Sequence, residues 1–285
     1  MNLRPHFIRR SAAAMLILTL LLASLATSAL AQSPALKNAD LCNGQDNMPA
    51  EQKIIACTAF IESREANATG LATAYNNRGN AYAGTGRYDL AIKDYDESIK
   101  LNPKTALAFN NRGVAFGKKG DYARAVRDFT AAINIGKDDV DSIVNRGLAY
   151  GKMRKYDNAL KDLDEAIRRR PKTGGLWNER CWIRAITGAL QAALADCNEA
   201  IKLGPKTAAK FDSRGFAYLK LGQWNLAIDD FNAALQRDPK LASSLYGRGI
   251  AKTKLSDLAG GTVDLSAARA AKPTIAAEFA HYGLR

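Results

Sequence analysis

The chain contains a repeated unit, and within each half of that unit apolar residues recur every three or four positions, which is the periodicity of an α-helix. The first complete unit spans 72–105, and six such units follow one another up to position 275 without insertion or deletion. Glycines that suit a turn of positive φ fall between the halves at Gly86, Gly120 and Gly222. A helix-ending proline closes five of the six units, at Pro103, Pro171, Pro205, Pro239 and Pro273. The pattern predicts pairs of helices joined by turns.

Small and bulky residues alternate at fixed places within the unit. The second copy carries Gly113 at its eighth position and Ala125 at its twentieth, with Phe116 and Phe129 at the eleventh and twenty-fourth. Small residues let two helices approach closely, and the aromatic rings fill the space between neighbouring units. Since no unit can bury its apolar face alone, the stack of units is the stable object.

The same unit is also marked by Arg-Gly pairs at a constant spacing. They begin at Arg78, Arg112, Arg146, Arg180, Arg214 and Arg248, and the fourth reads Arg180-Cys181. This spacing and the small and bulky positions resemble those of the tetratricopeptide repeat family, whose unit of about 34 residues folds as two antiparallel helices. The resemblance implies an all-α fold, a right-handed superhelical solenoid of helix–turn–helix repeats with a C-terminal capping helix.

The expected organisation follows from this spacing. A signal peptide is expected at 1–31 and a flexible leader at 32–37. A degenerate N-terminal unit is expected at 38–71. Six repeats follow at 72–105, 106–139, 140–173, 174–207, 208–241 and 242–275. The remaining segment, 276–285, carries Phe279 and Tyr282 at helical spacing after Ile275, and we expect it to cap the exposed face of the last repeat. Use of this tail as a peptide for another protein is the alternative.

An arginine at the seventh position and an aspartate at the twenty-third are shared by all six units. The aspartates are Asp94, Asp128, Asp162, Asp196, Asp230 and Asp264. We expect a ladder of ion pairs along the stack, because the planar guanidinium suits a bidentate and partly buried carboxylate. For Arg146, Asp162 of its own unit and Asp128 of the preceding unit are both candidate partners. The alternative function for the arginines is a track for an anionic ligand.

The N-terminus has the features of an export signal. Arg4, Arg9 and Arg10 precede an apolar stretch, and Ala29-Leu30-Ala31 fits a cleavage site that leaves Gln32 as the first residue. An uncleaved anchor is the alternative. The expected location is therefore periplasmic or secreted, with no transmembrane segment after removal of the signal.

Four cysteines lie after this signal, in two close pairs. We expect disulfides between Cys42 and Cys57 and between Cys181 and Cys197, because an exported chain meets an oxidising environment. Buried free thiols are the alternative. No spacing resembles a zinc site, and we expect neither a metal nor a cofactor.

The resemblance also implies a groove lined by the first helices of the units. Carried over to this chain, the partner-binding groove contains Asn76, Asn80, Asn110, Lys118, Lys152, Asn178, Trp182, Phe216, Lys220, Tyr246 and Lys254. Such a groove suits an extended or helical peptide with acidic groups. The plain structural alternative is that the lysines are solvated helix ends.

Composition narrows the function further. The net charge is +13, or +10 without the three arginines of the signal, which favours acidic partners. Nucleic acid fits the charge but not the export signal, and no catalytic constellation occurs.

We therefore expect a non-enzymatic scaffold or adaptor for protein–protein interaction in the cell envelope. The alternative is binding of an anionic envelope surface, lipid or polysaccharide, through a basic face. A factor that bridges two large complexes is a third class. The sequence does not determine the oligomeric state.

Overall fold

The computed structural model describes residues 34–44, 48–63, 66–137 and 139–284, and in these ranges every regular element is an α-helix. The expected all-α solenoid of paired helices is confirmed. The expected signal peptide lies outside the described residues. Among the residues described, none of the helices has both the length and the apolar character that a membrane span requires.

The chain forms two compact units, one that ends at Pro103 and one that begins at Lys104. The first contains α1 (Pro34–Asn43), α2 (Ala50–Glu62), α3 (Ala68–Gly84) and α4 (Tyr88–Leu101). The second contains α5 (Ala106–Lys118), α6 (Tyr122–Ile135), α7 (Val140–Lys152), α8 (Tyr156–Arg169), α9 (Gly174–Thr187), α10 (Leu190–Lys202), α11 (Ala208–Lys220), α12 (Trp224–Leu235), α13 (Ala242–Lys254), α14 (Leu258–Ala271) and α15 (Ile275–His281). Each repeat pairs a first helix, here called an A helix, with a second or B helix.

In the first compact unit, two helices begin earlier in the chain than the expected segment boundaries. α1 begins at Pro34, inside the stretch expected to be a flexible leader, and proline suits the first position of a helix because its missing N–H has no partner there. α3 begins at Ala68, four residues before the first repeat 72–105, because Asn67 caps it, its side chain accepting a hydrogen bond of 2.8 Å from the backbone N–H of Gly70.

The turn inside each repeat reverses the chain through a residue in the left-handed conformation. Four glycines provide it, Gly86, Gly120, Gly188 and Gly222, with φ between 72° and 94°. Arg154 and Ser256 occupy the same place in the other two repeats, with φ of 59° and 71°. The turn geometry is therefore kept even where glycine, the residue that adopts it without steric cost, is absent.

The eighth and twenty-fourth positions bring the two helices of each repeat into close contact. A Cβ added at Gly113 would lie 2.7 Å from Cε1 of Phe129, and one at Gly79 would lie 2.7 Å from Cε1 of Tyr95. The fourth repeat replaces this pair by a disulfide between Cys181 and Cys197, whose Cα atoms are 5.3 Å apart. A second disulfide joins α1 to α2 through Cys42 and Cys57, with a Cα separation of 4.7 Å.

Candidate functional site

Each of the six repeats contains an arginine–aspartate pair, and we call the six pairs the ladder. In every repeat the arginine Nε and Nη2 donate to the two carboxylate oxygens of the aspartate sixteen residues later, at 2.6–2.9 Å. The six aspartates are only 2–6% exposed. Each pair joins the A helix to the B helix of the same repeat.

The remaining arginine nitrogen reaches back to the preceding B helix. Nη1 of Arg146 donates to Thr130 at 3.2 Å, that of Arg214 to Asn198 at 2.9 Å, and that of Arg248 to Asn232 at 2.7 Å. Arg180 pairs in the same way with Asp164 at 2.7 Å. One side chain thus ties three helices together, so the ladder connects successive repeats as well as the halves of one repeat.

The geometry assigns the partner of Arg146. Asp162 of the same repeat accepts both hydrogen bonds, whereas Asp128, the other candidate, accepts from Arg112. The hydrogen bond to Asp162 raises the pKa of Arg146 against the opposing effect of burial. Because each guanidinium is already committed to its aspartate, the arginines are poorly placed to serve as a track for a separate anion.

The positions of the expected groove all lie on A helices, and we call this set of positions the A-helix face. In the first unit, Asn80 is exposed and accepts a hydrogen bond of 2.7 Å from the hydroxyl of Tyr95, while Asn76 is buried. In the second unit, Asn110 accepts from Ser142 Oγ at 3.1 Å and from Asn145 Nδ2 at 3.0 Å. These amides, expected to meet a partner, are therefore engaged within the protein.

The lysines expected on this face behave in two ways. Lys118 and Lys152, the last residues of α5 and α7, are exposed, as is Lys254 at the end of α13. Lys220 instead donates from Nζ to the carbonyl oxygen of Ile186 at 3.2 Å, and burial lowers its pKa. Lys220 is thus a contact between α11 and α9, which corrects its assignment as a free partner-binding cation.

The aromatic residues of the A-helix face are covered by α15. The Phe216 ring centroid lies 4.8 Å from that of Trp182 and 5.6 Å from that of Phe279. Tyr246 lies 4.8 Å from Phe279, and Tyr282 lies 5.6 Å from Trp182. We call Trp182, Phe216 and Tyr246 the aromatic site. Phe216 and Tyr246 are buried, so the prediction that they are open to a partner is corrected: the C-terminal segment occupies their place.

Charged groups surround this contact. Glu278 of α15 accepts hydrogen bonds from Lys272 at 2.7 Å and from Thr274 at 2.9 Å. Burial alone would raise the pKa of Glu278, but these bonds outweigh it and lower the pKa. A cavity of about 350 Å³ lies between α15 and the A helices, with Lys152, Trp182 and Asp212 in its wall.

Asp212 is an ionisable group on the A-helix face. Burial raises its pKa to about 6, against the lowering effect of hydrogen bonds from Ser244 at 2.5 Å and Ser243 at 2.8 Å. Asn178 stands at the same position of the preceding repeat. It is buried, and its Oδ1 has no hydrogen-bond partner. Among the described residues, no cluster of three His, Cys, Asp or Glu side chains is arranged to hold a metal ion.

These features define a class of protein: a scaffold of stacked helix–turn–helix repeats whose repeated residues hold the array together. The chain belongs to the tetratricopeptide repeat family. Models of this repeat match residues 72–105, 144–208 and 208–241. Such repeats generally form non-catalytic scaffolds for protein–protein interaction.

Solved structures of other tetratricopeptide repeat proteins share the fold. A protein from Parabacteroides merdae has a TM-score of 0.68 at 17% identity, covering 88% of this chain and 98% of its own. YrrB, described as having an unusual peptide-binding site, has a TM-score of 0.56 at 22% identity, covering 68% and 97%. PilW, described as a type IV pilus biogenesis factor, has a TM-score of 0.64 at 18% identity, covering 73% and 96%. The comparison with curated proteins gave no match.

Proposed function

We propose that this protein is a non-enzymatic adaptor of the cell envelope that holds a protein segment on its A-helix face. The observation that carries the proposal is the open part of this face at α5 and α7. Lys118 and Lys152 occupy equivalent positions at the ends of these adjacent A helices and are exposed, and Val114, one turn before Lys118 on α5, is 37% exposed. Two exposed cations and an exposed apolar side chain on adjacent A helices favour a partner segment that combines acidic and apolar residues.

The envelope location is supported by two features of the chain. The segment 1–31 has the pattern of an export signal, and both cysteine pairs form disulfides. Disulfides persist in oxidising compartments such as the periplasm and are rare in the cytosol. The pilus biogenesis factor PilW, which has a similar fold, suggests that such arrays serve envelope assemblies.

Capture of a partner from envelope extract tests this function. The protein without residues 1–31 is immobilised and exposed to the extract at low and at high salt. A discrete protein that stays bound at high salt supports the adaptor, because contacts anchored by apolar side chains survive ionic screening. Retention of lipid or polysaccharide alone, lost at high salt, would replace the adaptor by binding of an anionic surface.

A charge reversal locates the partner on the face. We expect Lys118→Glu with Lys152→Glu to reduce capture at least tenfold at low salt. The control, Lys155→Glu with Lys161→Glu, makes the same change in charge at exposed positions just before and within α8 and should leave capture intact. Equal losses in both variants would show that only net charge matters, and the A-helix face would lose its role.

A further inference from the structure

We propose that the aromatic site binds an amphipathic helix of a partner protein, and that α15 occupies the site until that helix displaces it. The partner helix would carry bulky apolar residues at positions i, i+4 and i+7 and an acidic residue at i+3. This inference rests on the proposed function and names the partner's chemistry.

The pattern of the partner is taken from the segment that the chain itself places there. Ile275, Phe279 and Tyr282 are four and three residues apart, which sets them on one side of a helix. Ile275 and Phe279 are each only 2% exposed. The ring of Phe279 packs between Phe216 and Tyr246, and that of Tyr282 meets Trp182 edge-on. A helix that lays its apolar side into a groove is a common mode of peptide recognition.

The charge around the site selects the acidic position. Glu278 lies at i+3 relative to Ile275, and Lys272 neutralises it. Lys152 also faces the cavity beside Glu278 and contributes to the lowering of its pKa. A partner carboxylate at this position would meet a lysine that the protein already presents, whereas a basic residue would be repelled.

The attachment of α15 is suited to exchange. The helix has seven residues, and a helix of this length is not stable in water without a surface to fold on. Both hydrogen bonds of its carboxylate, to Lys272 and Thr274, are made within its own segment. A cavity of about 350 Å³ remains beside it. A longer helix with the same side chains can fill more of this space and form at lower conformational cost.

Covalent attachment gives α15 the advantage over a free peptide. A short linker holds it near the site at an effective concentration in the millimolar range. A partner must therefore bind the vacant site tightly. Its apparent affinity for the intact chain equals its affinity for the vacant site multiplied by the fraction of molecules in which α15 has left the site. Weakening α15 should raise the affinity for a helix supplied in trans.

The test uses a labelled synthetic peptide of residues 272–284 and fluorescence anisotropy. In the full chain, Phe279→Ala with Tyr282→Ala removes from the aromatic site the ring of Phe279 in α15 and the ring of Tyr282, the residue that follows α15. We expect this opened variant to bind the peptide at least tenfold more tightly than the unchanged chain. A control peptide with alanine in place of Ile275, Phe279 and Tyr282 should not bind.

Two tryptophans of α9 provide matched controls. Trp182→Ala in the opened variant should reduce peptide binding at least tenfold, because it removes one ring of the aromatic site. Trp177→Ala should not, because the indole Nε1 of Trp177 donates to the carbonyl oxygen of Pro171 and its ring lies over Arg180. Peptide binding by a folded opened variant that is no stronger than that of the unchanged chain would overturn the proposal.

Hydrogen exchange on the unchanged chain decides the matter if the opened variant does not fold. We expect the backbone amides of α15 to exchange at least tenfold faster than those of α13, because a displaceable helix opens without the array. Equal protection would make α15 a fixed part of the core and would overturn the proposal. If the peptide does not bind but the protein still captures an envelope partner, the aromatic site is rejected as a binding site. The proposed adaptor function is then unaffected.

Discussion

The ladder and the A-helix face are built from the same repeats in opposite ways. On the ladder, all six repeats make the same bidentate contact, for example from Arg146 to Asp162. On the A-helix face, equivalent positions differ: Asn110 binds Ser142 and Asn145, Asn178 keeps an unpaired oxygen, and Asp212 binds two serines. Residues that repeat stabilise the array, and residues that vary are free to specify what the array holds.

The largest expected effect comes from breaking the ladder. Arg146→Leu leaves the carboxylate of Asp162, only 5% exposed, without its cation, and we expect a loss of about 3 kcal/mol in the free energy of unfolding. The double variant Arg146→Leu/Asp162→Leu removes both charges and should lose about 1 kcal/mol. Urea denaturation followed by circular dichroism measures both.

Arg127→Leu is the matched control for the ladder. Arg127 is an exposed arginine of α6, and its removal should change the stability by about 0.5 kcal/mol or less. If the single and double ladder variants lost the same stability, the pairs would contribute no coupling, and the arginines would have to be explained in another way.

Repetition also determines which features of the structure can be predicted from the sequence alone. An arginine and an aspartate at a constant offset can be identified because six copies share them, and the helix pairs follow from the same period. The position of α15 has no such copies. The spacing of Ile275, Phe279 and Tyr282 predicts a helix that caps the last repeat, where Phe279 packs on Tyr246, but not that the same segment also reaches Trp182 and Phe216 of the two preceding repeats.

Side-chain contacts between repeats are a second feature that the sequence alone does not predict. The bond from Lys220 to the carbonyl of Ile186 depends on the distance between α11 and α9. The raised pKa of Asp212 depends on how deeply the array buries it. Neither the distance nor the burial is encoded by the residue type at one position.

A smaller effect is expected from Asp212, which places an ionisable group on the A-helix face. Its pKa is about 6 in the folded protein and about 3.9 in the unfolded chain. The folded state therefore binds the proton more tightly, so stability should fall as pH rises from about 4 to about 6 and stay constant above. Asp212→Asn should remove this dependence and raise the free energy of unfolding at pH 7 by about 2 to 3 kcal/mol.

Denaturation of the Asp212→Asn variant at pH 4 and pH 7 measures the difference. The variant keeps an oxygen that can accept the hydroxyls of Ser243 and Ser244. Asp157→Asn changes an exposed aspartate of α8 and should leave the difference between the two pH values in place. A pH dependence that survives Asp212→Asn would assign it to another group.

The smallest effects compare a repeated and a variable glycine within the single helix α5. A Cβ at Gly113 would lie 2.7 Å from Cε1 of Phe129, whereas one at Gly117 would meet nothing within 4 Å. Gly113→Ala should therefore destabilise the array by about 1 to 2 kcal/mol, since overpacking outweighs the gain in helix propensity. Gly117→Ala should stabilise it by up to about 1 kcal/mol, because only the propensity changes. Thermal unfolding of both variants gives the sign of each change in stability. If the two changes had the same sign, the contact with Phe129 would not constrain the eighth position. Opposite signs would show that the interior leaves no room for a side chain where an aromatic ring faces the eighth position, while the A-helix face leaves room for the variation on which a binding surface depends.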